Sequence, residues 1–116
     1  MKIAIVGSRD LKVNNLKKYL PKNVTEIVSG GARGVDTSAK EYADAYGLKF
    51  KEFLPEYEKY GRRAPLVRND LIIDYADAVI AFWDGKSKGT KYVIDRCKKV
   101  NKDIKIYVKI NVKPKF

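Results

Sequence analysis

The chain contains no histidine at all. That absence removes the usual general base near neutral pH, the imidazole metal ligand and every catalytic triad built on histidine. Any catalysis would fall to carboxylates, lysine, arginine or tyrosine. Cys97 is the single cysteine, so no internal disulfide and no cysteine-based metal cage can form. No apolar run approaches the length needed to cross a bilayer. Met1 leads straight into the strand-like Lys2–Val6, without a signal-peptide apolar region. We therefore expect a cytoplasmic protein with no membrane partner, and nothing in the sequence calls for a metal or a cofactor.

What is present is a globular composition in one domain-sized chain of 116 residues, 45% hydrophobic and 34% charged. Lysine and arginine number 25 against 14 acidic residues, a net charge of +11. Such an excess attracts phosphorylated ligands and could support nucleic-acid binding. A solvated lysine-rich surface explains the same numbers equally well.

The most informative stretch is Ile27-Val28-Ser29-Gly30-Gly31-Ala32-Arg33-Gly34-Val35-Asp36. A β-branched pair ends a predicted strand, three glycines crowd the turn, and a helix begins at once. Backbone without Cβ atoms at Gly30, Gly31 and Gly34 lets a ligand approach closely. The free N–H groups and dipole of the following helix then favour an anion, and Arg33 adds a fork of donors. A strand-to-helix turn with no ligand needs the same glycines.

Similar punctuation recurs along the chain. Strand-like Ile3–Val6 ends at Gly7-Ser8-Arg9-Asp10, and Leu11, Leu16, Tyr19 and Leu20 predict a helix closed by Pro21. The second strand spans Thr25–Ser29, and its helix carries Val35, Ala39, Tyr42, Ala43 and Tyr46 before Gly47. Leu48–Leu54 mixes apolar and charged residues as a sheet edge does. Pro55–Pro65 reads as a long irregular segment, and a helix follows over Leu66–Tyr75 with Arg68 and Asn69 among its apolar residues. Ala78–Trp83 has no interior charge and reads as a buried central strand. A second glycine turn, Asp84-Gly85-Lys86-Ser87-Lys88-Gly89-Thr90, leads into a helix bearing Val93, Ile94, Cys97 and Val100. A last strand over Ile104–Ile110 completes a domain of residues 1–110, and 111–116 form a short basic tail.

Strands alternating with helices imply a mainly parallel five-stranded sheet with helices on both faces, an α/β fold. The turns at Gly7, Gly30 and Gly85 all follow strand C-termini, so they should meet in one crevice, where open α/β sheets bind ligands. Ser8 could bind phosphate or ribose, or cap a helix, with Arg9 beside it bound or solvated. Asp36 could accept from a ribose hydroxyl or simply complement a helix N-terminus. Trp83 and Tyr57 could stack on a base, although Trp83 could equally close the end of a core strand.

The set Gly7-Ser8-Arg9, Ser29-Gly30-Gly31-Ala32-Arg33-Gly34-Val35-Asp36, Arg68-Asn69 and Trp83-Asp84-Gly85-Lys86-Ser87-Lys88-Gly89-Thr90 resembles the SLOG superfamily. That superfamily is named for the DNA-processing Smf/DprA proteins and the cytokinin-activating LOG enzymes. The similarity is to its small single-domain YspA/YpsA-like branch, and it runs from Met1 to about Ile106. It implies a Rossmann-like three-layer α/β/α fold and a pocket for nucleotides or nucleotide-derived molecules. LOG-type enzymes cleave the N-glycosidic bond of nucleoside monophosphates with a Gly-Gly-x-Gly-Thr-x-x-Glu turn and an upstream arginine. Gly89-Thr90 matches the Gly-Thr pair, but Val93 stands at the glutamate position and can neither take a proton nor stabilise a developing cation.

The leading expectation is thus binding of a nucleotide or its derivative without turnover, as a sensor or sequestering protein. Phosphates would sit on the Gly7, Gly30 and Gly89 turns, with Arg33 and Arg68 supplying charge. Nucleotide N-glycosidase activity, with Asp36 or Asp84 as a substitute carboxylate, is one alternative. A DNA-binding module of Smf/DprA type is the other. Exposed apolar helix faces would favour a homodimer.

Overall fold

The structure is a computed structural model that describes residues 1–8, 11, 13–30 and 34–108. The tail from position 109 onward, together with Arg9, Asp10, Lys12, Gly31, Ala32 and Arg33, lies outside the described residues.

Five strands form one sheet in the order β3-β2-β1-β4-β5, built from β1 (Lys2–Gly7), β2 (Glu26–Ser29), β3 (Lys49–Glu52), β4 (Ala78–Trp83) and β5 (Ile104–Val108). Every pairing is parallel. The helices are α1 (Val35–Ala45), a single turn α2 (Tyr57–Tyr60), α3 (Ala64–Tyr75) and α4 (Lys88–Lys99). The chain winds outward from β1 to β3, then crosses back to place β4 on the other side of β1. β1 and β4 therefore flank the point where the winding reverses.

The strict alternation of a strand sorts the core into two layers. Ile3, Ile5, Ile27, Ile80 and Phe82 face one side, where they pack against Val35, Ala39 and Ala43 of α1. Ala4, Val6, Val28, Val79 and Ala81 face the other, against Ile72 and Ile73 of α3 and Val93, Ile94 and Cys97 of α4. Phe82 is fully buried between the Tyr19 and Tyr107 rings, with centroids 5.2 and 5.5 Å away. Removing a side chain of that size from water contributes about 1.5–3 kcal/mol. β1, charged only at its first residue Lys2, and the uncharged β4 are central, whereas β3, with Lys49, Lys51 and Glu52 exposed, is an edge strand.

Three sequence expectations change in detail. In place of the helix over Leu11–Leu20, the described residues hold only a 3-10 turn, Leu16–Tyr19. Asn15 before it is left-handed at φ 57°, a conformation asparagine tolerates, and it stops helix from propagating backward. The Pro55–Pro65 segment is not wholly irregular, since it contains α2 and a second 3-10 turn, Gly61–Arg63. Consequently α3 starts at Ala64, with Pro65 inside its first turn, where a missing N–H costs nothing.

Candidate functional site

A cleft of about 340 Å³ opens over the C-terminal ends of β1 and β2, within the ~300–1,000 Å³ span of small-molecule sites. β1 contributes Ile5, Val6 and Gly7 to it, and the end of β2 contributes Ser29 and Gly30. Three helices bring their first turns to the same place. Asp36 is the second residue of α1, Pro65 and Leu66 are the second and third of α3, and Gly89 and Thr90 are the second and third of α4. The dipoles of α1 and α4 bring their positive ends to the cleft, whereas at α3 the Ala64 N–H is already bonded to the Gly61 oxygen and Pro65 has no N–H to offer.

A parallel sheet sends all its strand C-termini to one edge, so the ends of β1 and β2 and the first turns of the helices that follow reach the same space. Backbone approach at this edge is tight. A Cβ on Gly7 would run into the Val35 side chain and lie 3.0 Å from the Phe82 carbonyl oxygen. Gly89 differs, because a Cβ there would meet nothing within 4 Å.

Arg68 is the central cation of the cleft. Its Nη1 donates to the Gly30 carbonyl oxygen and its Nε donates to Asn69 Oδ1 at 2.8 Å, which fixes the guanidinium across the end of β2. Among the described residues Nη2 has no hydrogen-bond partner. Burial pushes the Arg68 pKa below its ordinary value, with the oxygens of Tyr57 and Asp36 acting in the opposite direction. An arginine remains cationic under such a shift. Opposite it, the Ser29 hydroxyl donates to Asp36 Oδ1, placing a held carboxylate on the wall.

The remaining predicted residues build the site without lining it. Ser8 is 1% exposed and ties β1 to β4, its N–H donating to the Phe82 oxygen at 3.0 Å and its Oγ accepting from the Asp84 N–H at 3.1 Å. Asp84 Oδ1 accepts from the N–H groups of Lys86 and Ser87 at 2.8 and 2.7 Å. Those bonds, that from Ser87 first, hold its carboxyl below the usual carboxylate range. Gly85 at φ 84° makes the bend, and Trp83 turns its ring into the core while its Nε1 donates to the Ser87 oxygen. The turn thereby presents Ser87 as the N-cap of α4, accepting from the Thr90 N–H. Gly34, at φ 79°, holds the N-cap position of α1 with no side chain to accept from the helix's N–H groups.

The cleft thus brings together Gly7, Ser29, Gly30, Asp36, Arg68, Asn69, Ser87, Gly89 and Thr90. Arg9, Gly31 and Arg33 lie outside the described residues. Sequence reading missed Ile5, Val6, Pro65, Leu66 and Ile72, which with Val93 supply the apolar lining. A signal was available, since positions 65, 68, 69 and 72 share one helix face. Among the described residues no group of acidic and cysteine side chains could hold a metal ion, and no helix is long and apolar enough to cross a membrane. Comparison with protein-family models, curated proteins and solved structures gives no match.

Proposed function

We propose that this protein binds a nucleotide or a nucleotide-derived molecule in the cleft over β1 and β2, with a phosphate group at the helix N-termini. The observation that carries the reading is the meeting of three helix N-termini beside the half-buried Arg68, in a cleft with an apolar wall. Phosphate suits the convergent N–H groups and the open Nη2 edge of the guanidinium. The sugar and base suit Pro65, Leu66, Ile72 and Val93. The resemblance to SLOG proteins, drawn from the glycine turns, supports the same assignment.

Titration calorimetry with AMP, adenosine and ribose 5-phosphate tests it. AMP should bind more tightly than either fragment, and Arg68→Met should weaken AMP binding about 10- to 100-fold, the span for a lost hydrogen bond to a charged group. Absence of AMP binding, together with no change in Tm across a nucleotide panel, would remove the proposal.

One observation favours turnover as a second reading, namely the Asp36 carboxylate on the cleft wall. Against it, the side chain at position 93 does line the cleft and is a valine, so no carboxylate acts from there. Chromatography of AMP incubated with the protein separates the two, since hydrolysis releases free adenine and Asp36→Asn would stop it.

A further inference from the structure

Beyond the cleft interior, four exposed cations lie close in the chain to residues that line it. Arg62 and Arg63 lie in the 3-10 turn that leads into α3, just ahead of Pro65 and Leu66. Lys86 and Lys88 flank Ser87, next to Gly89 on the other wall. All four are exposed. The ion pairs among the described residues are Lys91–Asp95 and Arg96–Asp70, so none of the four takes part in one. Nearby carboxylates are committed, Asp84 to the N–H groups of its own turn and Asp70 to Tyr92 and Arg96. Like charges gathered without partners repel one another, and a polyanion relieves that repulsion. A single phosphate inside the cleft is already served by Arg68 and the helix termini.

We infer that the ligand carries two or more phosphates joined through pyrophosphate oxygens, and that Arg62, Arg63, Lys86 and Lys88 hold the part that projects from the mouth. The inference rests on the nucleotide reading of the cleft. Pyrophosphate linkage, rather than an oligonucleotide, fits the lining. Single strands bind along successive aromatic platforms, and among the described residues no aromatic side chain lines this cleft.

The test is calorimetry on the full chain with AMP, ADP, ATP and a 5′-phosphorylated oligothymidylate, at low and moderate salt. Two variants with equal charge loss are compared. One replaces the rim (Arg62→Gln, Arg63→Gln, Lys86→Gln, Lys88→Gln). The other replaces exposed lysines Lys22, Lys49, Lys98 and Lys99 by Gln, which sit in the turn before β2, at the start of β3 and at the far end of α4. Affinity should rise roughly threefold or more with each added phosphate, in keeping with exposed charge pairs. The rim variant should flatten that rise while keeping AMP affinity and Tm, and the distal variant should leave it intact. AMP, ADP and ATP binding equally would overturn the inference and spare the nucleotide reading. So would equal loss in both variants, which would reduce the effect to net charge. Oligothymidylate binding more tightly than ATP would replace it with nucleic acid. No binding by any nucleotide would overturn both.

Discussion

The two edges of the parallel sheet are made from the same strands and treat their polar groups in opposite ways. At the N-terminal edge the chain closes on itself. The Met1 ammonium donates to the Asn23 oxygen at 2.9 Å and to Thr25 Oγ1 at 3.1 Å, the Lys2 N–H donates to Asp77 Oδ2 at 2.7 Å, and the Asp77 N–H returns to the Lys2 oxygen at 2.8 Å. At the C-terminal edge three helix N-termini and Arg68 point into a cleft. On the proposed reading, that difference places the ligand at the C-terminal edge. Donors satisfied locally hold strands together, whereas donors aimed at a common space hold a ligand.

The largest expected effect comes from closing the C-terminal edge. Gly7→Val should clash with Val35 and the Phe82 carbonyl and cost about 1–3 kcal/mol, read by urea denaturation. Gly89→Ala sharpens the contrast, because open space surrounds that position and alanine is the better helix residue by up to about 1 kcal/mol. The free protein should melt at a higher temperature while AMP binding weakens several-fold, the added methyl standing where the ligand approaches. A variant that binds AMP unchanged would mean that Gly89 does not face the ligand.

At the N-terminal edge, Asp77→Asn should lower Tm and leave AMP affinity unchanged. The Asp77 carboxyl is held below its ordinary pKa, first by the Lys2 N–H and then by the charges of Lys2, the N-terminus and Lys102. The stability it contributes is present above the ordinary carboxylate pKa and is lost as pH falls through the depressed one. Acid melting curves of wild type and Asp77→Asn should therefore converge at low pH. The smallest effect belongs to Cys97, buried under α4, whose thiol is pushed up to about 11 by desolvation. Its contribution is intact below the ordinary value of 9.0 and is lost as pH rises toward about 11. A thiol reagent at neutral pH should label it only on unfolding, with or without AMP.

Much of this plan was legible in the sequence because it rests on short-range signals. Uncharged Ile3–Val6 and Ala78–Trp83 became the central strands, charged Leu48–Leu54 became an edge shortened to Lys49–Glu52, and the glycine turns fell at strand ends. The helix expected over Leu11–Leu20 failed because apolar spacing alone does not sense a backbone reversal such as that at Asn15. Arg68 and Asn69 were recognisable as polar residues among apolar ones, but Gly30, which accepts from Arg68, lies 38 positions away. Whether Trp83 stacks on a ligand or on the core depended on its bond to Ser87, a feature of the folded turn. Ser8 and Asp84, expected at a ligand, brace β1, β4 and α4 through bonds that only the folded chain forms.

The central claim is that the C-terminal edge is a nucleotide site, and amide chemical-shift mapping during an AMP titration tests it most directly. The account predicts saturable shifts at Gly7, Gly30, Leu66 and Thr90, with Thr25 and Asp77 at the opposite edge unmoved. Saturable shifts centred on the N-terminal edge, or none at Gly7, Gly30 and Thr90 at millimolar AMP, would contradict it.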